Sequence, residues 1–181
     1  KLNINNLASD YISNIKIYTK PISSKEYIFS LKNNRSSSTQ LSSSSCKIKA
    51  ISLESIIPDD WESNTELLIK IDIDGFDWDA IISGKNIISK FKPLLFFECV
   101  ILNNLQFYGY KSIIKLLLDN YDYILVLNNF GCIYFTGALS EDVLNNIFIK
   151  SYIASRKNNK EYNYFDILVY NLHQKSFINK A

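Results

Sequence analysis

Two apolar runs that each end in an acid constrain this chain most: Leu67-Leu68-Ile69-Lys70-Ile71-Asp72 and Leu94-Leu95-Phe96-Phe97-Glu98. Branched and aromatic residues packed this densely read as strands buried on both faces, as in a parallel sheet. Parallel neighbours need a crossover. The intervening segment supplies one: Trp78, Ile81 and Ile82 recur at helical spacing, Gly84 is a stop, and Ile87 and Ile88 continue the apolar face before Pro93.

The alternation continues downstream. Ile113, Ile114, Leu117 and Leu118 give Tyr110 to Leu118 a helical core face. Tyr123 to Leu127 and Cys132 to Phe135 flank Asn128-Asn129-Phe130-Gly131, which predicts a hairpin. Ser140 caps a helix with Glu141 and Asp142 in its first turn, running out near Arg156-Lys157. Phe165 to Tyr170 is the last strand. The expected fold is therefore α/β: a mostly parallel sheet with helices on both faces. In such sheets chemistry sits at the carboxyl ends of the strands, where Asp72, Asp74 and Glu98 fall.

Upstream the signals are weaker. Leu2, Ile4, Leu7 and Tyr11 suit the end of a helix; Ile15 to Tyr18 and Tyr27 to Leu31 suit short strands. Residues 36–45 are Ser-rich and read as a surface loop within one domain spanning 1–181. Ile48 to Ile57 holds a strand, followed by a turn at Pro58-Asp59-Asp60.

Composition narrows the function classes. The net charge of +2, from 20 basic and 18 acidic residues, gives no reason to expect nucleic acid or an anionic membrane as partner. No apolar run approaches the roughly 20 residues of a membrane span. Cys46, Cys99 and Cys132 are odd in number and widely spaced, matching neither a disulfide framework nor a zinc motif. Cys99 and Cys132 are expected as packed thiols, and a cytoplasmic setting follows. With no Met, the chain is expected to be part of a longer product. His173 is the single histidine, has no nucleophile near it in sequence, and is expected at the surface, which argues against a catalytic triad.

The segment Lys70-Ile71-Asp72-Ile73-Asp74-Gly75-Phe76-Asp77-Trp78-Asp79 carries the chemistry. Carboxylates leaving a buried strand can take a proton from a hydroxyl, hold a cation, or bind sugar hydroxyls. Gly75 permits a sharp turn. Asp77 and Asp79 also suit a first helical turn, where the dipole favours acids. Glu98 also suits a buried acid bonded to a nearby loop. Asp72-x-Asp74 matches the motif of metal-dependent sugar-nucleotide glycosyltransferases. It matches haloacid-dehalogenase phosphatases less well, since Phe76 stands where Thr is usual.

The fuller match is to the FkbM-type methyltransferases. Their strand, helix and closing glycine resemble Ile69-Lys70-Ile71-Asp72-Ile73-Asp74-Gly75 followed by Trp78, Ile81, Ile82 and Gly84. Their next strand resembles Pro93-Leu94-Leu95-Phe96-Phe97-Glu98. Leu53-Glu54-Ser55-Ile56 is similar to an upstream family segment, and the likeness covers most of residues 1–135. Asp74 stands where the family more often has Glu, and the 181 residues hold no Asp-x-Gly-x-x-x-Gly cofactor loop.

The resemblance implies a Rossmann-like class I methyltransferase sheet, mostly parallel with an antiparallel final strand and lacking its N-terminal strands. It implies S-adenosylmethionine as cofactor and methyl transfer to a hydroxyl, as of a sugar or glycan precursor. Asp72, Asp74 and Glu98 would be catalytic, and Pro21, Ile22, Ser23 and Asp72 would hold the cofactor. The alternatives are the glycosyltransferase and a non-catalytic structural fragment.

Overall fold

The computed structural model describes residues 16, 18–25, 28–30, 47–58, 61–62, 66–157 and 161–175. Two short strands, β1 (Ile28–Ser30) and β2 (Lys47–Lys49), pair antiparallel by themselves. The main sheet has five strands: β3 (Leu68–Ile71), β4 (Leu94–Val100), β5 (Tyr123–Asn128), β6 (Ile133–Ala138) and β7 (Tyr164–Tyr170). Their order across the sheet is β3-β4-β7-β5-β6. Four helices connect them: α1 (Asp77–Ser83), α2 (Lys85–Phe91), α3 (Asn104–Asn120) and α4 (Glu141–Arg156).

The expectation of a mostly parallel sheet is corrected. Only β3 and β4 pair parallel; β4–β7, β7–β5 and β5–β6 are antiparallel. Alternation of strand and helix fixes direction, not adjacency. The crossover through α4 does make β6 and β7 point the same way, but they flank β5 instead of pairing. The antiparallel last strand is as expected, and it lies inside the sheet.

Helices on both faces are corrected as well. Ile81 of α1, Ile88 of α2, Ile113 and Leu117 of α3, and Leu144 and Phe148 of α4 join one core cluster. Ile69, Ile71, Leu95, Phe97, Val126, Ile167 and Val169 of the sheet join the same cluster. These strand residues share one face by the period of two. On the other face Leu94, Phe96, Leu125, Leu127 and Leu168 lie outside the cluster and stay partly exposed. Among the described residues the helices therefore cover one side of the sheet.

Local chemistry explains most element boundaries. The Asn103 side chain caps α3 by accepting from the Gln106 N–H at 3.0 Å, and the Ser140 hydroxyl caps α4. Asn103 moves the start of α3 upstream of the expected Tyr110. The strand expected within 48–57 is β2 at its start, and Ser52 then caps a 3₁₀ turn at Leu53–Ser55. Glu54 on that turn accepts from the Asn86 N–H at 2.9 Å, closing the start of α2. Gly84 divides α1 from α2, and Leu53 fills the space where a Cβ would stand.

Cys99 is fully buried as expected, but Cys132 is exposed because it follows the hairpin turn. His173 is exposed on a 3₁₀ turn at Leu172–Gln174. Among the described residues no helix is long and apolar enough to cross a membrane. Ile15, Ile17, Cys46 and the Ser-rich 36–45 stretch lie outside the described residues.

Candidate functional site

β3 and β4 run parallel in register, Ile71 opposite Phe97, so the next position of each strand places Asp72 beside Glu98. β7 continues the row, because Glu98 is the register partner of Asp166. Neighbouring strands lie about 4.8 Å apart, so Asp72, Glu98 and Asp166 form a short file of carboxylates across three strands. Lys70 stands one step back on the same face, and its ammonium is 2.6 Å from the Asp72 carboxylate. This file lies on the face the helices leave open, at the carboxyl ends of β3 and β4.

Asp74 and Gly75 turn the chain away from the sheet. Both have positive φ, 53° and 86°. Asp is among the residues that tolerate this region, whereas Gly75 has a second reason. A Cβ there would come within 2.5 Å of Gln106 Nε2 and 2.8 Å of the Val100 carbonyl. The turn is thereby pressed against the start of α3, next to the end of β4. Ile73 and Leu102 project exposed apolar side chains from these loops, and Leu105 does so from the first turn of α3.

Asp77 lies behind the file. It is fully buried in the first turn of α1, and its Oδ1 accepts from the Glu98 N–H at 3.1 Å. Its Oδ2 is buried with no hydrogen-bond partner among the described residues. Burial raises its pKa to about 6, and nearby backbone N–H groups pull it down in part. Glu98 is raised to about 7 by burial first, then by the charges of Asp77, Asp72, Asp166 and Asp74. Asp166 is raised by burial and by Asp72, with Lys70 opposing. The phenol of Tyr164, on the same face of β7, is raised by burial and then by Asp166, Glu98 and Asp72.

The expected site residues are thus divided. Asp72, Asp74 and Glu98 come together. Pro21, Ile22 and Ser23 do not join them through any described contact; they run beside Ile51, with Ser23 N–H donating to its carbonyl at 3.0 Å and Ile51 N–H to that of Pro21 at 2.9 Å. The Ser23 hydroxyl donates to Asp79 at 2.6 Å, and the Ser24 hydroxyl donates to the same carboxylate. Asp79 is therefore more than a first-turn acid: it anchors this segment to α1. Ser23 is buried with its hydroxyl committed, a poor fit to a cofactor contact. Asp72 is exposed and keeps accepting capacity beyond Lys70.

Asp166, Tyr164 and Lys70 were not singled out from the sequence. An acid inside the apolar run Phe165-Asp166-Ile167-Leu168 was the available signal. Among the described residues no three His, Cys, Asp or Glu side chains are grouped to hold a metal ion. Comparisons with family models, curated proteins and solved structures found no match.

Proposed function

We propose that this chain forms the acceptor side of an S-adenosylmethionine-dependent O-methyltransferase acting on a hydroxyl, as of a sugar or glycan precursor. One observation carries the reading. Glu98 sits beside Asp72 at the carboxyl ends of two parallel strands, with a pKa of about 7. A carboxylate poised near neutrality is suited to receive a proton from an alcohol. The antiparallel β7 beside β4 also supports the reading, since it is the ending that the resemblance implies.

The cofactor would supply an electrophilic methyl group. Transfer of that methyl to the acceptor oxygen would break the cofactor's C–S bond, with its electron pair left on sulfur, and would require the hydroxyl to lose its proton. The hydroxyl proton passes to Glu98. Asp72 and Asp74 orient the acceptor by accepting hydrogen bonds from its other hydroxyls, because in-line transfer depends on positioning. The resemblance also gives Asp72 a contact to the cofactor.

Calorimetry with S-adenosylmethionine on the full-length polypeptide that carries these residues tests the reading. Binding by the wild type, with turnover lost but binding kept in Asp74→Asn, is the expected result. A folded full-length protein that does not bind the cofactor would remove the proposal.

A further inference from the structure

We propose that the tip of the β5–β6 hairpin and the C-terminal half of α4 form one docking surface for an anionic lipid bilayer. The proposal is independent of the methyltransferase reading.

The outer face of a surface helix is ordinarily polar. α4 buries Leu144 and Phe148 in the core, yet Ile149 and Ile153, one turn apart, are exposed on its outside. They line an open cavity together with Lys150, Lys157 and Tyr162. The hairpin tip adjoins this surface. The Lys150 ammonium lies 3.7 Å from the ring centroid of Tyr162 and 4.3 Å from that of Tyr134 on β6. The two rings meet edge to face, with centroids 5.7 Å apart. The Asn129 N–H donates to the Glu161 carbonyl at 3.2 Å. Phe130 and Ile133 extend the surface from there, 68% and 67% exposed. Turns favour Gly, Pro, Asn, Asp and Ser, so a phenylalanine standing in water in this one has no local explanation. A contiguous apolar surface rimmed by polar groups marks a place where something docks.

Charge identifies the occupant. The net charge of +2 is unevenly spread: from Val143 to Lys160 there is no acid, while Lys150, Arg156, Lys157 and Lys160 are basic. Arg156 and Lys157 also suit the end of a helix dipole, but the dipole does not account for the isoleucines beside them. The next acid, Glu161, accepts from the Tyr162 phenol. Asp72, Glu98 and Asp166 leave the opposite face of the sheet from α4. Lysine is depleted from protein–protein interfaces. At a bilayer its stem lies along apolar groups while its ammonium reaches the phosphates. Tyrosine rings favour the same depth, with the phenol in the headgroups. Apolar side chains at the acyl boundary with basic ones above them are the arrangement of an interfacial anchor to anionic lipid.

The test is flotation of the 181-residue chain with vesicles of phosphatidylcholine alone or with roughly one-third phosphatidylserine, in about 0.1 M and about 0.5 M salt. Binding is expected to be about tenfold or more tighter on the phosphatidylserine vesicles and to weaken in the higher salt. Lys150→Gln combined with Lys157→Gln should remove most of that preference. Phe130→Ser should weaken binding several-fold, with the fold kept by circular dichroism. Phe130→Trp should add a blue-shifted emission on the vesicles that the wild type, with Trp61 and Trp78 alone, lacks. No binding to phosphatidylserine vesicles, equal binding to both vesicle types, or binding that none of these variants changes would overturn the proposal. So would a dimer that Phe130→Ser dissolves, or capture of an acidic, leucine-rich helical peptide, where vesicles are not bound. The surface would then belong to a second copy of the chain or to an acidic helix.

Discussion

Glu98 on β4 and Asp166 on β7 are register partners across an antiparallel pair, so two carboxylates leave the same sheet face side by side. Nothing in the spacing of 68 residues between them announces this. It follows from where β7 enters the sheet.

The pairing predicts a coupled titration. Removing the Asp166 charge should lower the Glu98 midpoint from about 7 by roughly half to one unit. Carbon-detected NMR of the Glu98 carboxyl in Asp166→Asn measures this. An unchanged midpoint would mean that burial and the charges of Asp77, Asp72 and Asp74 hold Glu98 up without Asp166.

Stability should fall as pH rises from about 4 to about 7 and then level off. Asp77 and Glu98 have ordinary values of 3.8 and 4.5 but titrate near 6 and 7 when folded. Between those values the folded chain holds more protons than the unfolded one, so raising pH favours unfolding. For fully buried Asp77 the effect is up to about 3 kcal/mol. Thermal melts across this range should show a smaller decline in Asp77→Asn than in wild type.

Gly75→Ala should destabilise by about 2–4 kcal/mol. The alanine would have to hold a φ of 86° and push its methyl into Gln106 and the Val100 carbonyl. Gly131→Ala is the control, since it shares a positive φ of 74° with nothing near its Cβ, and should cost about 1 kcal/mol. Urea denaturation of both variants separates the turn conformation from the packing.

Ser23→Ala should cost roughly 1.5–3 kcal/mol, because it removes a hydroxyl from a buried carboxylate. Limited proteolysis should show residues 18–25 becoming more readily cleaved. Asp79→Ala should have the same effect on that segment. A Ser23→Ala protein as stable as wild type would return the hydroxyl to the list of ligand contacts.

The elements of this fold were legible where side chains carry a local period. Ile113, Ile114 and Leu117 marked α3, Ser140 marked the start of α4, and Asn128 to Gly131 marked the hairpin. Asp72, Asp74 and Glu98 were legible as a group because acids ending apolar strands are unusual. Strand adjacency was not legible, since β7 could have joined an edge as readily as the gap between β4 and β5. With it went Asp166, whose part in the site exists only through that pairing. The resemblance places Ser23 at the cofactor, and the acid that accepts from its hydroxyl is 56 residues away, beyond the reach of any local pattern.

The insertion of β7 also governs when the sheet can exist. A ribosome delivers β3, β4, β5 and β6 before it, yet β4 and β5 are joined only through β7. Until residue 170 has emerged, the nascent chain holds two separate strand pairs, each with an open inner edge. Contacts this distant in sequence form slowly, and open edges invite mispairing. The last strand thus works as a keystone set from the inside, and a nascent chain stopped before it would present two sticky halves to any chaperone at the exit tunnel.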